Sequence, residues 1–517
     1  MTAVPPRFTT LSQLIRESAR PFLDREALVC GTRRLTYREY LGQVAVVAHY
    51  LAQFGVKGER VAILLPNSIE VCVAIFGAHA AGAVVVPLNP LYTERELAEI
   101  LEDAAPRMIL FDARRQDEVE RIAPKLRGSQ LAAIDLLAGS WVDSLLPCEL
   151  GPDVEHSADD LAFIQYTGGT TGRSKGVMLT HLAICSNVDQ REALLPTLNG
   201  APDGERILCP MPIFHAYGLT MGLYLSAHCA GTLVIMPRYR PSELLSLIER
   251  ERITIFPGSP TLFTGLMADP QFATTDWRGV HTCYSGSAPL PEETLRRWEA
   301  ATGAPIYEGY GQTEAGSILT YNAVGGIRKP GTVGIAAADT EIEIVDLDKG
   351  TQRLAIGEPG EIRARGPQLM QGYWRRSDET AQALRDGWLY TGDIGSLDAE
   401  GFLTILDRKK DMVIVGGYNV YPREVDEVLC MHPSIADAAT VGTPDAYRGE
   451  RLCAFVIVRA GASATQDELI AHCAKNLARY KLPSSIMIVP ALPKTTVGKT
   501  DKRALREEAL KIQGSAI

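Results

Sequence analysis

The sequence predicts an α/β protein: a large N-terminal domain of layered α/β sheets with a β-rich subdomain, then a small, mobile C-terminal α+β domain. Three observations lead there. Over about the first four hundred residues, short apolar runs alternate with amphipathic stretches, the pattern of strands layered with helices. After about residue 336 the pattern becomes an apolar–polar alternation, as in half-exposed antiparallel strands. Past the charged stretch DRKKD at 407–411, a second short series of helix and strand patterns begins. A chain of 517 residues also exceeds one comfortable hydrophobic core.

In chain order, residues 60–65 read as a buried strand. The apolar stretch 71–86 is interrupted by His79 and two glycines and stops at Pro87, so it reads as a buried helix running into a strand, not a membrane span. Helices are expected at 94–102, 241–250 and 291–302, and strands at 108–111, 161–166, 232–236 and 253–256. TEIEIVD (340–346), GEIRARG (360–366) and residues 401–406 give the half-exposed strands. The small domain should hold a helix at 422–431, a strand at 452–458, a helix at 465–480 and a strand at 486–489. Thr465 and Glu468 have capping-box spacing at the start of that last helix. The boundary is placed at Lys409–Lys410, giving domains 1–409 and 410–517, the charged link between them reading equally as a hinge or as a solvated turn.

Composition narrows the function. With 46% hydrophobic and 22% charged residues the chain is ordinary globular, and a net charge of −10 argues against a nucleic-acid binder. Ten scattered cysteines, with no CxxC pair, predict reduced thiols in the core and no metal cluster. The N-terminus MTAVPPRFTTLSQLIRESAR lacks the apolar run of a signal peptide, so a cytoplasmic location and no integral membrane association are expected.

The strongest chemical signal is YTGGTTGRSKG, 166–176. A strand empties into a loop holding Thr167, Gly168, Gly169, Thr170, Thr171, Gly172 and Lys175. Glycines let backbone N–H groups curl around an anion, and hydroxyls and the lysine add donors and charge. The loop cradles phosphate without being the ordinary P-loop, because no Gly-Lys-Ser/Thr stands at the required offset. PMPIFHAYG (210–218) carries His215 and Tyr217. YSGSAPL (284–290) and YEGYGQTEAG (307–316) are small-residue loops after strands, the second offering Thr313 as a hydroxyl donor and Glu314 as a hard oxygen ligand for magnesium. YTGD (390–393) and Arg408 add a carboxylate and a guanidinium, and Gly498-Lys499-Thr500 places a lysine near the end.

In this order the segments resemble the adenylate-forming superfamily of acyl-CoA synthetases, peptide-synthetase adenylation domains and luciferases, from about residue 10 to 510. The resemblance implies ATP, Mg²⁺ and coenzyme A as cofactors and cosubstrates. It implies that Thr167–Lys175 hold the β- and γ-phosphates, Thr313 the α-phosphate and Glu314 the magnesium ion. Ser285–Ala288, with Ser287 and Ala288, and Glu308, Gly309 and Tyr310 would frame adenine. Asp393 and Arg408 would hold the ribose. His215 and Tyr217 would border the acyl pocket, Lys499 would be the catalytic lysine, Lys410 the hinge, and Gly416, Gly417 and Tyr418 the CoA tunnel. The chain departs from the family at Gly168, where serine is usual, at Ser174, where proline is usual, and at Thr500–Asp501 after the lysine. Asp501 is expected to point to solvent.

The expected activity is activation of a monocarboxylic acid as acyl-AMP and its transfer to CoA. The segments 214–219, 256–262 and 312–319 are mostly apolar and lack an arginine for a second carboxylate, so a medium- or long-chain fatty acid is favoured over a dicarboxylate. An aromatic or alicyclic acid is the alternative, FHAYG and YGQTEAG also resembling hydroxycinnamate–CoA ligases. With no carrier domain or pantetheine attachment motif, CoA is the expected acceptor. A non-catalytic sensor of nucleotide or acyl ligand is the alternative of another class, disfavoured by the complete set Lys175, Glu314, Asp393, Arg408 and Lys499. The oligomeric state stays open, a homodimer among the options.

Overall fold

The structure is a computed structural model describing residues 6–126, 128–134, 157–167, 174–197, 204–445, 447–495 and 500–514. Two large sheets organise the N-terminal part. One has seven strands, in the order Gly372–Tyr373, Lys175–Thr180, Leu161–Thr167, Val84–Pro87, Arg60–Leu64, Met108–Asp112 and Gln130–Ile134. Its last five run parallel, and the first two are added antiparallel. The other sheet has nine strands and contains Ile306–Tyr310, Thr282–Ser285, Ile255–Gly258, Arg206–Cys209 and Thr232–Ile235 side by side, all parallel.

The helix Ile69–Ala80 is buried at every residue from Ile69 to His79, as an all-round apolar helix must be. Phe76 meets the rings of Tyr40 and Tyr224 edge-on, and Tyr224 meets Phe163. The ring edges carry positive charge and the faces negative, which favours this geometry. Helix and following strand, Val84–Pro87, confirm the reading of 71–86.

The alternating segments form a five-stranded antiparallel sheet of Glu341–Val345, Gly360–Arg365, Trp388–Leu397, Leu384–Arg385 and Leu403–Arg408. Val333, Ile344, Ile362 and Leu403 are its buried core. A second five-stranded sheet, Val413–Val415, Tyr418–Val420, Gly449–Val458, Ile435–Asp445 and Ser485–Ile488, packs with the helices Pro422–Cys430, Gln466–Asn476 and Lys502–Gly514. The Thr465–Glu468 capping box is formed.

Some boundaries differ from expectation. The strand expected at 253–256 begins at Ile255, because Arg252 turns the chain at φ +49°. The strand expected at 401–406 starts at Leu403: Gly401, at φ +83°, lies in a turn whose Asp398 carboxylate accepts the N–H groups of Glu400 and Phe402. The helix expected to reach 480 ends at Asn476, whose side-chain amide bonds back to the His472 carbonyl, and Leu477 is extended. Of the cysteines, the nine described are free, seven of them buried.

Candidate active site

The strands Leu161–Thr167 and Lys175–Thr180 pair antiparallel with Thr167 opposite Lys175. These two residues bracket the loop expected to cradle phosphate, whose residues 168–173, with Gly168, Gly169, Thr170, Thr171 and Gly172, lie outside the described residues. Lys175 places its Nζ 4.3 Å from the centre of the Tyr373 ring. The Tyr373 hydroxyl donates to Glu314 Oε1 at 2.9 Å. Tyr373 is held there by pairing opposite Val177 in the short strand Gly372–Tyr373. Burial, and then the Glu314 carboxylate, push its phenol far above the ordinary range, so it stays a donor. Lysine, phenol and carboxylate are thus drawn together.

Thr313 and Glu314 open a single 3₁₀ turn, Thr313–Ala315, after the strand Ile306–Tyr310. The chain is folded tightly here. A Cβ on Gly311 would lie 1.9 Å from the Ser317 carbonyl oxygen, and one on Gly309 2.3 Å from the Tyr321 ring. Tyr310 donates its hydroxyl to Asp393 Oδ2 at 2.6 Å. Asp393 faces Arg408 in register across two strands, with Arg408 Nε 3.6 Å from Asp393 Oδ1. Arg408 is half exposed and available to a ligand. Glu308 is buried and accepts the Leu290 N–H at 2.9 Å; burial, opposed by that bond and by Arg423, pushes its carboxyl up to about 7. Across from it, Ser287 takes a positive φ of +70°, uncommon for serine, and Ala288 is exposed.

His215 caps the short turn Ala216–Gly218 by accepting the Tyr217 N–H on Nδ1 at 3.3 Å. A π-helical stretch, Leu219–Tyr224, follows, a form enriched at functional sites. The segment follows a strand of the nine-stranded sheet and is pinned from the seven-stranded one: Gln165 donates to the Phe214 carbonyl, and Asn67, in the loop after Arg60–Leu64, bonds Met211 and Ile213. Tyr217 is buried, its ring so close that a Cβ on Gly286 would meet it at 2.9 Å.

Gly416 and Gly417, at φ +59° and +85°, form the two-residue turn between Val413–Val415 and Tyr418–Val420. Tyr418 is exposed and stacks on Tyr480 at 4.6 Å between ring centres. Lys410 is exposed, its ammonium pushed below the ordinary value by partial desolvation and then by Arg408. Lys499 lies outside the described residues; its flanks close on each other through a bridge from Lys494 to Thr500. Asp501 does not simply face solvent. Its Oδ1 accepts the N–H groups of Arg503 and Ala504 and so caps the helix Lys502–Gly514. Its charge is committed to that helix start.

Sequence reading missed Tyr373, which has no local motif and reaches the site only through strand pairing. It also missed Arg191, fully buried and ion-paired with Glu192. Among the described residues no helix is long and apolar enough to cross a membrane.

Loops at the ends of parallel strands are where open α/β sheets take their ligands. Residues 15–374 match the AMP-binding enzyme family, and 424–499 match the AMP-binding enzyme C-terminal domain. The chain belongs to the AMP-binding enzyme family, within the adenylate-forming superfamily its motifs resemble. Over 96% of its length it is 37% identical to a long-chain-fatty-acid–CoA ligase of Bacillus subtilis, covering 94% of that protein. ATP-bound MatB from Rhodopseudomonas palustris, 32% identical, superposes with a TM-score of 0.90 over 97% of this chain and 99% of that one. The apo form of MatB, over the same shares, gives 0.81.

Proposed function

We propose that the protein joins a long-chain fatty acid to coenzyme A at the expense of ATP, through acyl-AMP, releasing pyrophosphate and AMP. The observation that carries this reading is the grouping of Lys175, Tyr373 and Glu314 beside the Tyr310–Asp393–Arg408 set, in a chain similar from end to end to a fatty acid–CoA ligase.

Fatty carboxylate and triphosphate are both anions and repel. Lys175 and the loop donors take up the charge of the β- and γ-phosphates. Thr313 donates to the α-phosphate. Arg408 and Asp393 hold the ribose hydroxyls, with Tyr310 fixing the carboxylate. Glu308–Tyr310 and Ser285–Ala288 frame adenine. Glu314 fits Mg²⁺, since one carboxylate with substrate phosphates is the usual magnesium shell, and the ion would offset phosphate charge there. Lys499 donates to the carboxylate and α-phosphate as the carboxylate oxygen attacks phosphorus and pyrophosphate leaves. The CoA sulfur then attacks the acyl carbon and AMP leaves.

The two steps use different arrangements of two domains, 1–409 and 410–517, hinged at Lys410. The last strand of one sheet ends at Arg408 and the first of the next begins at Val413, which supports a hinge between them. His215 and Tyr217 border the acyl chain, and Gly416–Tyr418 line the thiol's path after the swing. The only fully buried guanidinium among the described residues, Arg191, is already neutralised by Glu192, which favours a monocarboxylate.

The test is pyrophosphate release with Mg-ATP across straight-chain acids, benzoates and hydroxycinnamates, with and without CoA. CoA-dependent turnover peaking on long chains is expected. A peak on ring acids would move the protein to aryl substrates, and no turnover on any acid would refute the reading.

A further inference from the structure

Asp407 occupies an unusual place. It is buried beside Arg408, and both its oxygens are used. Oδ2 accepts the backbone N–H of Arg423 at 2.9 Å. Oδ1 accepts the Arg408 N–H at 2.8 Å and lies 3.7 Å from the Lys502 ammonium. The Arg423 guanidinium donates to the Ile405 carbonyl at 2.6 Å and to Glu427 at 2.8 Å. Ile405 and Asp407 precede Lys410, whereas Arg423 and Lys502 follow it. The bonds to Ile405 and Asp407 therefore cross the hinge. Arg506 behaves oppositely: it lies 3.8 Å from Asp411 and donates to the Gly442 carbonyl, and both partners follow Lys410. Those contacts travel with the small domain.

We infer that Lys502 and Arg423 are positioning residues that latch the C-terminal domain for acyl-AMP formation, and that they release Asp407 and Ile405 before CoA attack. The inference rests on the two-step ligase reading. Connectivity gives it force. A chain spans at most about 3.6 Å per residue, so the Lys499 backbone lies within about 11 Å of the Lys502 backbone, and docking Lys502 at Asp407 holds both on that side of the hinge. Asp407 adjoins Arg408, the ribose-holding residue, so the latch keeps the catalytic lysine in range of the nucleotide. Release does not strand a bare buried ammonium, because the Lys502 side chain is already 22% exposed. A latch that left a bare buried charge would be too costly to open.

The experiment compares Lys502→Ala, Lys502→Arg, Arg423→Ala and the control Arg506→Ala in three readouts. These are ATP–pyrophosphate exchange with a long-chain fatty acid, thioester formation from supplied acyl-AMP and CoA, and trypsin cleavage after Arg408, Lys409 and Lys410 with ATP present. Lys502→Ala and Arg423→Ala should each lower exchange about five- to tenfold, the scale of one partly buried polar contact, while thioester formation holds or rises. Lys502→Arg should restore exchange. Lys502→Ala should be cut at the linker severalfold faster than wild type. Arg506→Ala should lower both half-reactions together. Equal loss in both half-reactions for Lys502→Ala, or unchanged linker cleavage, overturns the latch. Absence of exchange by the wild type on every acid would instead sink the ligase reading, and the cleavage comparison would still decide the latch.

Discussion

Tyr373 joins two charges in one side chain: its ring lies under the Lys175 ammonium and its hydroxyl binds Glu314. The two contacts can be separated. Tyr373→Phe keeps the ring and loses only the bond to a carboxylate, worth about 1.5–3 kcal/mol at most. KM for Mg-ATP should rise about three- to tenfold with the fold intact. Tyr373→Ala also removes the cation–π contact, worth about 0.5–2 kcal/mol, and should cost more. Steady-state kinetics against Mg-ATP decide this; identical parameters for Tyr373→Phe and wild type would show that the bond does not orient Glu314. In the proposed reaction Lys499 acts at the α-phosphorus in the first half-reaction alone. Lys499→Ala should reduce adenylation by about 10²–10³-fold, the effect of losing one preorganised donor, and spare thioester formation from supplied acyl-AMP. Parallel loss in separate half-reaction assays would contradict that division of labour.

Among the elements, most strands and helices were legible because their periodicities are local: the helix Pro241–Arg250 and the strands Met108–Asp112 and Leu161–Thr167 follow the apolar pattern within a residue. The strand Ile435–Asp445 was not, since it contains Gly442 and Pro444, which ordinarily weaken a strand. The structure supplies the reason for Gly442, where a Cβ would lie 2.7 Å from Val413. Site motifs were legible as loops after strands, and the residues bringing them together were not. Tyr373 reaches Lys175 and Glu314, and Asp407 reaches Arg423 and Lys502, only through contacts across long sequence separations. Glycines mark the same difference. Gly311→Ala forces a Cβ against a backbone carbonyl that cannot move aside, and should destabilise by roughly 1–3 kcal/mol. Gly42, inside the helix Tyr37–Ala52, has open space, and Gly42→Ala should stabilise by about 0.5–1 kcal/mol. Thermal melts of the pair should move in opposite directions; a Gly311→Ala protein as stable as wild type would mean that the 309–317 turn can relax.

Across the whole molecule, stability is bounded on both sides of neutral pH by carboxylates shifted in opposite senses. Burial works against ionisation of Glu26, but Arg34 and Arg206 outweigh it and hold the carboxyl below 4.5; Glu192 is held down likewise by Arg191 and Thr197 against its burial. A depressed pKa contributes stability that is present above the unfolded value and lost as pH falls below it. Glu308 and Asp426 go the other way, each pushed up to about 7 by burial. Between the unfolded values, 4.5 and 3.8, and 7 the folded chain binds more protons at these two sites than the unfolded chain does. Their contribution is full below the unfolded values and is lost as pH rises through 7. Glu308 lies in the strand Ile306–Tyr310 of the large N-terminal part and Asp426 in the small domain, so both parts of the molecule should loosen above neutrality. Glu308→Gln keeps an acceptor for the Leu290 N–H and removes the ionisation. It should raise stability by about 1–3 kcal/mol at pH 8 and leave it nearly unchanged at pH 4, below the unfolded value of 4.5. Denaturant titrations at the two pH values read this directly. A gain of equal size at both would trace the effect to packing around the amide, because only the cost of ionising a buried carboxyl grows with pH.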